Sequence, residues 1–149
     1  MGQIYAAAHI VHLFCAVIFV GGVFFEGLVL SVLHTKKVSR EARREVEKAV
    51  SSRVTKIMPP VVVTLFLSGL IMLHRYAAVL SQPFATPFNT QLTLKLLLAA
   101  SVLVHFVIAV TKMRRKTLTA SWSKYIHAAV FIHMLGIVFL AKSMFYLSW

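Results

Sequence analysis

The sequence has 149 residues, of which 59% are hydrophobic and 13% charged, against roughly 45–50% and about 25% in ordinary soluble domains. This excludes a soluble globular domain, a disordered chain and a disulfide scaffold, and its length suits one domain over residues 1–149. The net charge of +12 would point to nucleic acid in a soluble protein, but here the cations cluster between long apolar runs, so the partner is a lipid bilayer and not nucleic acid.

Four stretches are long enough to cross a bilayer, which takes about 20 helical residues. The first is predicted over 4–33, with Glu26 its only formal charge. No basic stretch precedes it, and it is too long for the apolar core of a signal peptide. Cys15 is the single cysteine and has no internal disulfide partner. The second span covers 57–80, with Pro59 and Pro60 near its start, where first-turn N–H groups lack intrahelical partners anyway. Pro83, Pro87 and Asn89 mark a short loop over 81–90. The third span covers 91–111 and the fourth 121–146. Runs of this length are helices, not barrel strands, so the fold class is all-α, a membrane four-helix bundle. No internal repeat is evident.

The cations set an orientation. The 34–56 connection holds Lys36, Lys37, Arg40, Arg43, Arg44, Lys48, Arg53 and Lys56, and the connection before the fourth span holds Lys112, Arg114, Arg115, Lys116 and Lys124. Only Arg75, Lys95 and Lys142 lie toward the other side. Both termini are therefore expected outside a cell inner (plasma) membrane. Glu41/Arg44 and Glu45/Lys48 at i,i+3, Arg43/Glu47 at i,i+4, and the stripe Val46, Ala49, Val50, Val54, Ile57 predict that the second helix extends into the cytoplasm.

Seven histidines, at 9, 12, 34, 74, 105, 127 and 133, carry the chemistry. Ionisable groups within a span are costly and face the protein interior. With about 1.5 Å per residue, His12 and His74 lie about 12 and 9 Å from the outer helix ends, and His105 and His133 about 20 Å. This predicts an outer pair, His12/His74, and an inner pair, His105/His133. Facing histidines are how a helix bundle holds haem iron, and the outward cations Arg75, Lys95 and Lys142 suit haem carboxylates. The bland alternative is that each histidine makes an interhelical hydrogen bond. No CxxCH occurs, so the cofactor expected is non-covalent haem b, one or two per chain.

Three segments carry a family resemblance. They are IYAAAHIVHLFCAVIFVGGVFF, with Tyr5 seven residues before His12; RVTKIMPPVVVTLFLSGLIML; and LTLKLLLAASVLVHFVIAVTKMRRK, with Lys95, His105 and a terminal basic cluster. Together they resemble the membrane-embedded protoporphyrinogen IX oxidases of the HemJ type and, more loosely, the superfamily shared with copper-resistance D (CopD) proteins. The resemblance implies functional roles for His12, Lys95 and His105, with His12 and Lys95 catalytic. It also implies a tetrapyrrole substrate and electrons passed to quinone. The chain departs from the oxidases in the fourth helix, where His127 and His133 stand at usually apolar positions.

Three functional readings follow. The first is a b-type haem redox protein resembling the oxidases. The second is a di-haem electron-transfer cytochrome between quinone and an outer redox partner. The third is a copper-handling protein using His9, His12, His74, Met72 and Met144. A homo-oligomer is compatible with each.

Overall fold

A computed structural model describes residues 2–147. The chain is all-α. Among the described residues, four helices are long and apolar enough to cross a membrane, as expected of a multi-pass membrane protein. Helix α1 runs Gly2–Leu28 and is followed by a 3₁₀ turn, Leu30–His34. Helix α2 runs Arg40–Leu73, then passes through a 3₁₀ turn, His74–Tyr76, into the short helix α3, Ala77–Ser81. Helix α4 is Pro87–Arg114 and α5 is Ala120–Ser143. The chain forms two compact units, one up to Arg75 and one from Tyr76 onward.

In the first unit α1 and α2 run antiparallel. Tyr5 meets Arg75, His12 meets Ser68, and Gly22 meets Met58, so each step up α1 is matched by a step down α2. A Cβ on Gly22 would come within 2.9 Å of Met58. The missing side chain therefore lets the helices approach, as small residues do in membranes. Val62 is the most deeply buried side chain of this unit.

Ser39 starts α2 by accepting the Ala42 N–H at 3.2 Å, with Glu41 in the positive first turn. The extension of the second membrane helix is thus present as one 34-residue helix. Of the charge pairs read from sequence, Arg43–Glu47 closes at 2.7 Å, and His34 adds a 3.9 Å contact to the same carboxylate. Glu41/Arg44 and Glu45/Lys48 do not close among the described residues. Because the helix begins at Arg40, Pro59 and Pro60 lie inside it and not in its first turn. They deprive the Thr55 and Lys56 carbonyls of their helical donors. The pair sits where the charged stretch gives way to the apolar one, and Thr55 and Lys56 are exposed there. The other end also differs from the expected single helix over 57–80, since the α-helix stops at Leu73.

In the second unit α4 and α5 are antiparallel as well. Gln91 meets Ser143, Leu98 meets Gly136, Ser101 meets His133, and Lys112 meets Trp122. Thr86 caps α4 through the Asn89 N–H, Pro87 opens it, and the Asn89 amide donates to the Gln82 carbonyl at 2.8 Å. At the same end the buried Ser143 hydroxyl donates to Gln91 Oε1 at 2.8 Å, while Gln91 Nε2 donates to the Leu147 carbonyl. Val79, Leu92 and Met144 pack there with Tyr76, Phe88 and Leu96. At the far end Lys116 takes a left-handed conformation, φ 55°. Thr117 N–H returns to the Lys112 carbonyl and Lys116 N–H to that of Met113, a Schellman closure with lysine where glycine is usual. Thr119 caps α5 through the Trp122 N–H.

Candidate functional site: the intramembrane histidines

The most organised polar cluster within a span lies between α4 and α5. His105 Nδ1 is 2.7 Å from the Ser101 carbonyl, one turn back on its own helix. A carbonyl only accepts, so Nδ1 carries a proton, which in the neutral ring leaves the lone pair on Nε2. His133 repeats the arrangement on α5, its Nδ1–H donating to the Ala129 carbonyl. Its Nε2 lies 3.1 Å from Ser101 Oγ, and in the neutral ring the hydroxyl donates and the imidazole accepts. The freed oxygen lone pair faces His105 Nδ1 at 3.5 Å, a weak second contact. Ser101 thus joins the two rings, whose centroids are 5.7 Å apart at 48°.

The two histidines are staggered. His133 is level with Ser101, and His105 lies one turn nearer the Lys112 end. From His105 a line of rings continues to Tyr125 at 5.8 Å and on to Trp122 at 5.9 Å, where Lys112 Nζ sits 4.4 Å over the indole.

The expected outer pair is arranged differently. His12 on α1 donates through Nδ1 to the Leu65 carbonyl at 3.0 Å, with Ser68 Oγ at 3.2 Å. The Ser68 hydroxyl is directed at the Thr64 and Leu65 carbonyls, so His12 must be the donor. Its ring lies over Gly69, where a Cβ would be 3.2 Å from Cε1. His74 is six residues beyond Ser68, exposed, at the point where α2 breaks. His12 therefore meets Leu65, Ser68 and Gly69, and the structure does not bring it level with His74. The depth estimate failed here because the helices are offset by more than one turn.

The outward cations have different surroundings. Arg75 lies 4.9 Å over the Tyr5 ring, which in turn approaches His9 at 6.1 Å. Lys95 is half-buried on α4, and Lys142 is exposed on the last turn of α5. The register of the α4–α5 pair puts these two lysines within about one turn of each other in height. His127 and His34 are both exposed, His34 lying 3.9 Å from Glu47. Met144, a candidate copper ligand, is buried in the apolar cluster. Among the described residues no three His, Cys, Asp or Glu side chains converge as a metal group.

Sequence reasoning passed over Ser68 and Ser101, the hydroxyls through which each histidine network is built. A signal was present: Ser101 is four residues before His105 in an otherwise apolar run, the spacing that stacks two side chains on one helix face. Tyr125 carried no such signal. Compared with known proteins, the chain matches no family model, no curated protein and no solved structure.

Proposed function

We propose that this chain is an integral membrane redox protein that binds b-type haem between α4 and α5, with His105 and His133 as iron ligands. The observation that carries the reading is the pair of imidazoles on facing helices, each with Nδ1–H held by a helix carbonyl. Metal-bound histidines are typically prepared in this way: the hydrogen bond from one nitrogen fixes the tautomer, orients the ring and leaves the other nitrogen as the donor atom. His105 Nε2 has no hydrogen-bond partner among the described residues. His133 Nε2 is held by a single serine hydroxyl, which a modest rotation releases.

Bound haem would supply one-electron redox chemistry within the bilayer. The chain's own residues bind and orient. The apolar surroundings of α4 and α5 favour a buried macrocycle, and Lys95 and Lys142 supply cations for carboxylates. By the resemblance, His12 and Lys95 would act on a tetrapyrrole such as protoporphyrinogen IX, with quinone taking the electrons. The excess of cations in the 34–56 and 112–124 stretches supports an inner-membrane location with both termini outside.

The test is a visible spectrum of the purified protein, oxidised and dithionite-reduced, with haem quantified per chain. The expected result is a haem signal that His105→Ala and His133→Ala each abolish and His74→Ala leaves intact. A well-folded protein that neither retains nor takes up haem would overturn the proposal. Turnover of protoporphyrinogen, lost in Lys95→Ala, would place the reaction among the oxidases. Haem without turnover would make the protein an electron-transfer cytochrome.

A further inference from the structure

The acidic residues Glu26, Glu41, Glu45 and Glu47 all precede Arg75. From Tyr76 onward the chain carries seven lysines and arginines and no carboxylate side chain. Five of those cations, Lys112, Arg114, Arg115, Lys116 and Lys124, crowd the turn between α4 and α5. They are not consumed in capping α4. Its last carbonyls, at Thr111, Lys112 and Met113, already accept the backbone N–H groups of Arg115, Thr117 and Lys116. The other basic stretch, 34–56, differs, since there Glu47 is paired with Arg43 in the first turns of α2.

At this turn an open cavity of about 290 Å³ is lined by Val107, Ile108, Thr111, Lys112, Arg115 and Thr117. The lining is layered along the helix: an apolar floor at Val107 and Ile108, and cations at Lys112 and Arg115 one to two turns nearer the helix end. Lys112 is held in place over Trp122. Trp122 and Tyr125, side by side on α5, are residue types concentrated at membrane–water interfaces.

We infer that this cavity is a binding site for one anionic phospholipid. The phosphate lies against Lys112 and Arg115, and an acyl chain lies along Val107 and Ile108. The apolar floor distinguishes a lipid from a free anion, which would gain nothing from it, and the unbalanced charge selects an anionic headgroup over a zwitterionic one. The site is independent of haem binding.

The test uses the full-length chain with Trp149→Phe, which leaves Trp122 as the single tryptophan. In a neutral detergent, titration with dioleoylphosphatidylglycerol is expected to change Trp122 emission saturably, with a much weaker response to dioleoylphosphatidylcholine. Arg115→Gln, which removes a cation lining the cavity, is expected to raise the midpoint about fivefold. Arg114→Gln removes the same charge from the adjacent position, outside the cavity lining, and is expected to leave the midpoint unchanged. Both side chains are exposed at a helix end, so neither substitution threatens folding. Equal weakening by the two variants would show diffuse charge attraction and overturn the site. So would the absence of a phosphatidylglycerol response, or inorganic phosphate reproducing it at similar concentration.

Discussion

One hydroxyl group, Ser101 Oγ, joins both histidines of the α4–α5 pair. Removing it in Ser101→Ala leaves His133 Nε2 without its donor. The expected cost is about 0.6 kcal/mol, the average for hydrogen bonds within membrane proteins, read from reversible unfolding in mixed micelles. If haem binds as proposed, the same variant retains it with an unchanged spectrum and binds it more tightly, because His133 Nε2 no longer has to give up the serine hydroxyl. At His12 the constraint is steric. Gly69→Ala places a methyl 3.2 Å from His12 Cε1, and the ring cannot retreat without stretching its 3.0 Å bond to the Leu65 carbonyl. A destabilisation of about 1–3 kcal/mol is expected, as for other overpacked sites. Adding His12→Ala should recover part of it, and strictly additive effects in that double variant would refute the contact.

Two irregularities define the helices themselves. Pro59 and Pro60 stand in the middle of α2, each removing a helical hydrogen bond. Pro60→Ala restores a donor to the Lys56 carbonyl and is expected to stabilise the chain by about 1–3 kcal/mol, less than the full helix-interior penalty because Lys56 is exposed. Lower stability would show that the prolines set a bend the packing needs. At the end of α4, Lys116 holds a left-handed backbone that glycine adopts without strain. Lys116→Gly should therefore raise the melting temperature, by about 0.5–1 kcal/mol of stability, and Lys116→Val should lower it. The composition of these helices was legible in the sequence, as was the extension of α2, because charge spacing and apolar run lengths are local. The break at His74 was not. No proline or glycine marks it, so it reflects how the chain turns toward α3.

For the molecule as a whole, the charge asymmetry predicts that a reporter fused after residue 149 is external and one inserted near Arg44 is cytoplasmic. Opposite labelling would reverse the orientation and leave the helices unchanged. The sequence alone determined that this is an all-α chain with four membrane-length helices, and which polar residues they carry into the apolar region. Length and hydrophobicity dictate those features segment by segment, since a lipid environment forces each segment to satisfy its own backbone. Only the tertiary structure decided which polar groups meet. Offset and rotation between helices are set where small residues admit a neighbour, at Gly22 against Met58 and at Gly136 against Leu98. A change of one turn, about 5.4 Å, exchanges every partner along the interface. That is why depth counting brought His105 near His133 yet matched His12 with His74, when packing gives His12 to Ser68.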